Sequence, residues 1–329
     1  MTGSSEQDSI SVVIPTYNRR STLAAIIEPL RADPATGELV VVVDGGDDGS
    51  MEMLLAWSRD DPRLRPIYQD NAGSNAARER GVREATGSVV LMLDDDVEAD
   101  PGLVSGHLRY HAARHGLVVV GYMPVSRTYR PGTEATIAAI YSDSYEETCR
   151  SYEKDSTAIL KRLWSGNVSM RRDDVLRVGL AAPFEIRYHV DLEFGLRCAR
   201  AGLVGLFDRS LSATHHYART LDQFSRDNWR GGVAYAKILS TIEVTNPASL
   251  HPLSAFSLPR RTLSAAGSAR LTRRGSKWLL RKLIRLFGRS GAAYLERQCV
   301  YWLTSLEEYG GYRQSRGPRL RKLRAPAPS

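Results

Sequence analysis

Short apolar runs alternate with amphipathic stretches along the first third of the chain. The runs typical of buried strands lie at 10–14, 38–43, 65–69 and 88–93. The stretches between them have helical periodicity, at 21–30, 51–58 and 75–85, and Ser21 is positioned to cap the first. This alternation predicts an α/β fold with a mainly parallel sheet flanked by helices, and it brings the loops that follow the strands to one sheet edge.

The remainder of the chain is less regular. A helix over 103–115 and a strand over 117–122 are expected, whereas 126–160 shows little periodicity and predicts a loop. Further on, helical stretches flank Asp191, and residues 245–275 have the Ser-, Pro- and Ala-rich composition of a linker.

The fourth apolar run leads directly into Asp94, Asp95 and Asp96. If the strand continues through them, alternate side chains share a face, so Asp94 and Asp96 converge while Asp95 faces elsewhere. Converging carboxylates repel unless a cation or a proton relieves them, and Mg²⁺ prefers such oxygen ligands. The alternative for an isolated acidic triplet is a solvated loop.

Composition describes a soluble globular chain with an uneven charge distribution. The 329 residues carry a net charge of +8, yet residues 260–329 alone carry +14 and the preceding residues −6. A basic tail of this kind suits nucleic acid or an anionic membrane surface. The three widely spaced cysteines fit a reducing cytosol, and neither a secretory signal nor an apolar stretch long enough to span a bilayer is apparent.

Six segments together carry a family resemblance. In order and spacing they resemble glycosyltransferase family 2, an inverting family with the GT-A fold, over residues 10–235. The segments are Val12–Arg19, Val42–Ser50, Asn71–Gly81, Leu93–Asp96, Trp164–Arg172 and His189–Arg197. No P-loop motif and no complete calcium-binding loop competes with this interpretation.

The resemblance implies a binding site for a nucleotide-sugar donor, most simply a UDP-sugar. The residues implied are Pro15, Thr16, Tyr17, Asp44, Arg78, Asp94 and Asp95. Asp44 would accept a hydrogen bond from the imide N–H of uracil, and Arg78 would reach the diphosphate or the base. Taken alone, Asp44 is equally a turn residue before glycine, and Arg78 a solvated helix arginine.

The resemblance also implies a divalent cation, Mn²⁺ or Mg²⁺, at the donor diphosphate. Asp96 would be the direct ligand, with Asp94 nearer the ribose. His215 or His216 would complete the site, although a histidine pair is also a common surface feature.

Asp191 is the candidate general base, which would take the proton of an attacking acceptor hydroxyl. The family has a glutamate immediately before this aspartate, whereas this chain has Val190, which removes a like-charged neighbour. Gly45 and Glu79 also depart from the family pattern. The implied acceptor-binding residues are Trp164, Gly166, Asn167 and Glu193.

The sequence thus predicts three segments. Residues 1–124 would be the donor half of a GT-A domain, 125–240 the acceptor and base half, and 241–329 a basic helical extension with a disordered end from 313. In the stretch 277–289, Leu279, Leu280, Leu283, Leu286 and Phe287 would share one face. That face would either lie in a membrane interface or pack on protein, including a second copy in a homodimer.

The predicted activity is metal-dependent, inverting transfer of a sugar from a nucleotide-diphosphate donor to an acceptor hydroxyl. The alternatives are a sugar nucleotidyltransferase and a non-catalytic, membrane-associated nucleotide-sugar binding protein. Nucleic acid is not expected as a partner. The expected location is the cytoplasm, with peripheral contact at the inner face of the membrane as an option.

Overall fold

The structure is a computed structural model that describes residues 8–126, 132–241, 267 and 272–315. Its strands are β1 (Ile10–Thr16), β2 (Thr36–Asp44), β3 (Leu64–Gln69), β4 (Val89–Leu93), β5 (Val97–Ala99), β6 (Leu117–Tyr122), β7 (Asn167–Arg171) and β8 (Val204–His215). The helices are α1 (Arg20–Ala32), α2 (Ser50–Trp57), α3 (Ser74–Glu84), α4 (Leu103–Ala113), α5 (Thr133–Lys154), α6 (Thr157–Lys161), α7 (Arg172–Val178), α8 (Val190–Arg200), α9 (Leu221–Thr241), α10 (Arg273–Ser290) and α11 (Ala293–Ser315).

The sheet has the strand order β3-β2-β1-β4-β7-β6-β8-β5. Strands β1 to β4 pair in parallel, β6 pairs in parallel with β8, and β7 and β5 run antiparallel to their neighbours. The prediction of a mainly parallel α/β sheet is confirmed. Consequently β1, β2 and β4 end at the same sheet edge.

The central strands are buried on both faces, as parallel strands covered by helices must be. Along β1, Val12 and Ile14 join one hydrophobic cluster, whereas Val13 joins the cluster on the opposite face. The first cluster includes side chains of α1, α2 and α4, and the second includes side chains of α3, α7 and α8. The core is therefore a helix–sheet–helix sandwich.

Gly81 brings α3 unusually close to the sheet. A Cβ atom at this position would lie 2.4 Å from Val13 Cγ1 and 3.2 Å from Val42 Cγ2. A side chain there would push α3 away from β1 and β2, and with it Arg78, one turn earlier on the same helix.

Two local predictions are wrong. Arg19, not Ser21, is the residue that caps α1, and no side-chain hydrogen bond caps this helix. The expected loop over 126–160 contains α5 and α6 instead. The residues that α5 buries, such as Tyr145, Cys149 and Tyr152, recur at helical spacing but lie among polar residues and give a weak apolar signal. Tertiary packing outweighs the weak local signal.

The chain divides into two compact units that interleave along the sequence. The first comprises 1–126, 145–183 and 191–217 and holds every strand described above. The second comprises 127–144, 184–190 and 218–329 and, where described, consists of helices and irregular segments. The three consecutive segments predicted from the sequence stay a prediction. No described helix is sufficiently long and apolar to cross a membrane.

The described part of the basic extension forms α10 and α11. In α10, Ile284 is fully buried, whereas Leu279 and Leu286 are 51% and 58% exposed, and the two alternatives for the predicted apolar face stay predictions. Most of the predicted linker 245–275, and residues 316–329 of the predicted disordered end, lie outside the described residues.

Candidate functional site

The candidate site lies in the strand-bearing unit, at the edge where β1, β2 and β4 end. The segment 94–96, which we call the acidic turn, connects β4 to β5 and is closed by a hydrogen bond from Val97 N to Asp94 O of 3.2 Å. The strand stops at Leu93, so the alternation expected for Asp94 and Asp96 is wrong. Each carboxylate instead faces the partner that the turn presents to it.

Two arginines divide the acidic turn between them. Arg78 is buried on α3, and its Nη2 donates to Asp94 Oδ1. Arg19 approaches the other two carboxylates, with Nη2 3.3 Å from Asp96 Oδ2 and Nε 3.6 Å from Asp95 Oδ1. Asp94 is the most open of the three, with 36% of its side chain exposed.

The two histidines at the end of β8 have different surroundings. His215 is buried, and its Nε2 lies 3.4 Å from Asp96 Oδ1. His216 points to Glu98 Oε2 at 2.7 Å with 43% of its side chain exposed. The pairing of β5 with β8 sets this difference, because Val97 lies opposite His215 in the register. The structure thus brings His215, and not the His216 imidazole, to Asp96.

Asp95 is held inside the site. Its Oδ2 accepts a hydrogen bond of 2.9 Å from Thr16 Oγ1 at the end of β1. Burial raises the pKa of Asp95 to about 6, against the opposing charge of Arg19. Asp95 therefore links the acidic turn to β1.

Asp44 terminates β2 and organises the loop that follows β3. It is buried, and its carboxylate accepts hydrogen bonds from Gln69 Nε2 at 2.7 Å, Ala72 N at 2.9 Å and Gly73 N at 2.8 Å. These bonds place the start of α3, and so Arg78, beside the acidic turn. The role of Asp44 toward a base stays a prediction.

The first loop contributes both buried and open groups. Pro15 and Thr16 are buried at the end of β1, whereas Tyr17 is 51% exposed. Asn18, the next residue, has a positive φ of 52°, which turns the chain toward α1. The loop therefore offers one exposed aromatic ring at the sheet edge.

Asp191 lies in the first turn of α8. Its Oδ1 accepts a hydrogen bond of 2.9 Å from Leu192 N. Burial raises the pKa of Asp191 to about 6, and the charges of Arg78 and Asp94 also act on it. A carboxylate with this pKa is largely ionised near neutral pH and still basic enough to accept a proton.

Glu193 has a structural partner. It is fully buried, and both of its oxygens accept hydrogen bonds from Arg197, at 2.8 to 3.0 Å. Arg197 in turn donates to the carbonyls of Val178 and Leu180, at 2.7 and 3.3 Å. The pair thus fastens the end of α7 to α8, and the predicted contact of Glu193 with an acceptor stays a prediction.

Asn167 is likewise buried in a polar cluster. Its Nδ2 donates to Leu211 O at 3.1 Å, and its Oδ1 lies 2.9 Å from His107 Nε2. Ser169 Oγ lies 2.8 Å from both His107 Nδ1 and His111 Nε2. We call His107, His111, Asn167 and Ser169 the histidine cluster. Asn167 is fully enclosed in this cluster, and its predicted contact with an acceptor stays a prediction.

The other two predicted acceptor residues lie nearer the acidic turn. Gly166 O accepts a hydrogen bond of 3.2 Å from Asp94 N, and a Cβ at Gly166 would lie 2.9 Å from Asp94 Oδ2. Trp164 is partly exposed, and its ring lies 4.9 Å from the ring of Tyr145. A side chain at position 166 would therefore displace the Asp94 carboxylate or the Met123 side chain.

Arg19 and Gln69 are the site residues that sequence reasoning missed. Arg19 ends the first motif, directly after a loop that was assigned to the site, and this position was the available signal. Gln69 lies opposite Asp44 in the register of β2 and β3, which only the sheet reveals.

The side chains around Asp96 would bind a divalent cation only together with further ligands. Within the described ranges, no group of three or more His, Cys, Asp and Glu side chains is arranged to hold a metal ion. Asp96 with His215 offers one carboxylate and one imidazole. Cations such as Mg²⁺ normally complete their coordination with water and substrate phosphates, so the residues fit a cation that arrives with its substrate.

Comparison with known proteins decides the family. Residues 11–176, half of the chain, match the family described as Glycosyl transferase family 2. The chain belongs to glycosyl transferase family 2. The expected family and fold are thereby confirmed, and with them the glycosyltransferase class.

Relatives in this family cover the chain unevenly. It is 24% identical to the uncharacterized glycosyltransferase YfnE of Bacillus subtilis over 273 residues, 68% of this chain and 69% of that protein. It is 35% identical to the uncharacterized glycosyltransferase YibD of Escherichia coli over 95 residues, 29% of this chain and 28% of that protein. The matched part thus spans between about a quarter and two thirds of these relatives' lengths.

A solved structure resembles the whole fold. The mannosyltransferase PcManGT from Pyrobaculum calidifontis, in complex with GDP-Man and Mn²⁺, superimposes with a TM-score of 0.61 at 16% identity. The match covers 94% of this chain and 88% of that one. At this identity the likeness concerns the fold.

Proposed function

We propose that this glycosyltransferase moves a sugar from a nucleotide-diphosphate donor, specifically a UDP-sugar, to an acceptor hydroxyl with inversion. The observation that carries the proposal is the meeting of Arg19, Arg78 and the acidic turn at one sheet edge, where the charges of Arg78 and Asp94 also act on Asp191. A base beside a cationic and acidic sheet edge suits deprotonation of a nucleophile next to a bound diphosphate.

Arg78 is the residue best placed to receive the donor. It enters the site from the first turns of α3, and Asp44 sets the loop before it. Its planar guanidinium suits phosphate oxygens. The family resemblance implies that Asp44 would bind the uracil ring and that Pro15, Thr16 and Tyr17 would flank the nucleoside.

Asp96, with His215, would hold Mn²⁺ or Mg²⁺ at the donor diphosphate, and Asp94 would lie nearer the ribose. When bound, the cation would neutralise charge on the departing nucleoside diphosphate. The complex of PcManGT with Mn²⁺ and GDP-Man supports a divalent cation in this fold.

Asp191 would take the proton in the transfer step. The acceptor oxygen attacks the anomeric carbon, the bond from that carbon to the diphosphate oxygen breaks, and the hydroxyl proton passes to Asp191. Attack from the face opposite the leaving group inverts the anomeric configuration. Trp164 and Gly166, beside the acidic turn, remain our candidates for contact with the acceptor.

A donor screen followed by two variants tests this proposal. The thermal shift of the purified chain should be largest with a UDP-sugar plus Mn²⁺, compared with GDP-sugars and with either component alone. Asp96→Asn should weaken the joint effect of UDP and Mn²⁺, whereas Asp191→Asn should retain it and lose transfer. In wild type, kcat/KM should fall as the pH drops below about 6, because Asp191 then gains a proton.

The same assays address the alternatives. A nucleotidyltransferase would release pyrophosphate from a nucleoside triphosphate, and a binding protein would bind donor without turning it over. A larger thermal shift with GDP-sugars would show that the donor carries guanine rather than uracil. Full transfer by Asp191→Asn would show that Asp191 is not the general base.

A further inference from the structure

Helix α10 carries seven Lys and Arg residues and no Asp or Glu. Three of these cations serve the helical unit itself. Arg273 and Lys277 pair with the buried carboxylate of Glu307, and Arg281 pairs with Asp222. These partners belong to α9 and α11, so the inward side of α10 is neutralised within its own unit.

The outward side has a different composition. Four exposed cations alternate with three exposed apolar side chains, and together they form the outer face of α10. Its members are Arg274, Trp278, Leu279, Lys282, Arg285, Leu286 and Arg289. None of the four cations forms an ion pair within 4 Å among the described residues, although the charge of Arg285 acts on Asp222. Trp278 is 59% exposed, and Lys282 Nζ lies 4.1 Å from its ring centre.

This arrangement costs the isolated helix free energy. Lys282, Arg285 and Arg289 follow one another at spacings of three and four residues, at which like charges repel. Exposed Trp and Leu between them lose the benefit of burial. An anionic surface with an apolar layer beneath it would offset both costs.

We propose that the outer face of α10 lies on an anionic lipid surface. The cations would reach lipid phosphates, while Trp278, Leu279 and Leu286 would enter the interface, where indole rings are favoured. A second copy of the same face is disfavoured, because it would bring like charges together without an acid in either helix. Nucleic acid would satisfy the cations and leave the leucines exposed.

Vesicle co-sedimentation of the full chain tests this proposal. The protein should pellet with phosphatidylcholine vesicles that contain phosphatidylglycerol, not with phosphatidylcholine alone, and added salt should weaken binding. Lys282→Gln with Arg285→Gln should lower the partition coefficient roughly 25-fold, at roughly fivefold per cation. Trp278→Ser with Leu286→Ser should also lower it. The control is Arg80→Gln with Arg83→Gln, which removes equal charge from exposed positions on α3.

Three results would contradict the proposal that the outer face of α10 binds an anionic membrane surface. One is equal binding of wild type and the charge variant to anionic vesicles. Another is a dimer in light scattering that Trp278→Ser with Leu286→Ser dissociates, with no vesicle binding. The third is tighter retention by a single-stranded oligonucleotide than by anionic vesicles.

Arg19 carries a separate inference about the donor site. Each carboxylate oxygen of Asp96 lies near a nitrogen. Oδ2 is 3.3 Å from Nη2 of Arg19, and Oδ1 is 3.4 Å from Nε2 of His215. The Arg19 backbone is anchored, since its carbonyl accepts from Thr22 N and Leu23 N at 2.9 Å. Its side chain is 35% exposed, so it can leave the acidic turn without moving α1.

We also propose, on the basis of the function proposed above, that Arg19 is a positioning residue that exchanges partners. Without a donor it neutralises Asp95 and Asp96; when a divalent cation and donor bind at Asp96, the guanidinium moves to the diphosphate. Arg19 would thus oppose binding of the cation alone and favour binding of the cation with its nucleotide. This would make the two binding events depend on each other.

Mn²⁺ binding, followed by the paramagnetic resonance of the free ion, tests this exchange with and without UDP. Arg19→Ala should bind Mn²⁺ alone roughly tenfold more tightly, because a cation next to the carboxylate is lost. The same variant should bind UDP with Mn²⁺ more weakly, and Arg19→Lys should lie between it and wild type. Arg20→Ala, at the adjacent residue whose backbone N–H bonds to Asp48, should match wild type.

Opposite changes in the two affinities are the signature of exchange. A loss of both affinities, or no change in either, would show that Arg19 does not exchange partners. If wild type and Arg19→Ala bind UDP with Mn²⁺ equally well, only the proposed role of Arg19 is contradicted. If wild type binds neither UDP nor Mn²⁺, the proposed function is contradicted as well.

Discussion

The acidic turn and the histidine cluster are both polar, and both lie in the strand-bearing unit, yet they differ in what is open to a ligand. At the acidic turn, Asp94 is 36% exposed and the neighbouring Arg19 is 35% exposed, so a ligand can replace the contact of Asp94 with Arg78 and those of Arg19 with Asp95 and Asp96. In the histidine cluster, His107 and Asn167 are fully buried, and their contacts are to other protein groups. Polarity alone therefore does not mark a functional site; solvent access distinguishes the two.

The hydrogen bonds of the histidine cluster form one directed chain. Asn167 Nδ2 donates to Leu211 O, so its Oδ1 must accept from His107 Nε2–H. His107 Nδ1 then accepts from the Ser169 hydroxyl, which in turn accepts from His111 Nε2–H. Both histidines are thereby neutral, and burial lowers the pKa of His107 to about 3 and of His111 to about 4.

The largest effect is expected on the catalytic side of this comparison. Asp191→Asn should lower turnover about 10³-fold, within the range for loss of a general base. Its unfolding temperature should stay equal or rise. Burial disfavours the charged carboxylate of Asp191, which is why its pKa is raised, and the substitution removes that charge. Initial rates and thermal unfolding measure the two quantities. A large fall in stability would mean that Asp191 is structural.

The reverse pattern is expected in the histidine cluster. His107→Ala should lower the free energy of unfolding by about 2–4 kcal/mol, because it opens a cavity and leaves polar groups unpaired. UDP–Mn²⁺ binding of the folded protein should remain near wild type. Urea unfolding and a binding titration check this, with the exposed His115→Ala as the matched control. A selective loss of binding would instead place the cluster in the donor site.

Acid should destabilise the protein through the histidine cluster. The pKa values of His107 and His111 are lower in the folded state than in the unfolded chain, so the stability they support is complete above about pH 6.5. It is lost progressively as the pH falls toward 4 and then 3, since the unfolded chain binds more protons. Asp95 and Asp191, with raised pKa values, act in the opposite sense over a smaller shift.

Urea midpoints should therefore fall between about pH 7 and about pH 4.5. His107→Gln, which removes one titrating group, should flatten this dependence. A midpoint that is constant or rises on acidification would show that the histidines do not control it.

The smallest effect distinguishes the two histidines at the end of β8. His215→Gln should weaken Mn²⁺ binding in the presence of UDP roughly tenfold, in the range for loss of one site group. His216→Gln should change it little, because that imidazole faces Glu98. Equal effects of both substitutions in a Mn²⁺ titration would contradict the assignment.

The sequence was most informative where local pattern and core coincide. The apolar runs of β1, β2 and β4 are buried on both faces, so their positions and their parallel arrangement follow from composition and spacing. The helix α5 was missed, because its buried residues include Tyr145 and Cys149 among polar positions. Tyr145, Cys149 and Tyr152 recur at helical spacing, but they do not form a strongly apolar stripe.

In the candidate site, too, the sequence indicated which residues follow the parallel strands but not which distant residues they contact. That Asp44, Arg78 and the acidic turn share one sheet edge could be expected, because parallel strands end together. The surroundings of Asn167 and Glu193 could not be expected, because a motif position cannot reveal that a polar group pairs with His107 or with Arg197.

By itself, the sequence determined the family, the positions of the first four strands along the chain and the edge at which the acidic residues gather. Only the tertiary structure decided that the strand ends before Asp94, that Arg19 bridges Asp95 and Asp96, and that His215 rather than His216 reaches Asp96. The physical reason is that propensity and periodicity act over neighbouring residues, whereas these pairings join residues about 80 to 120 positions apart through sheet register and loop closure.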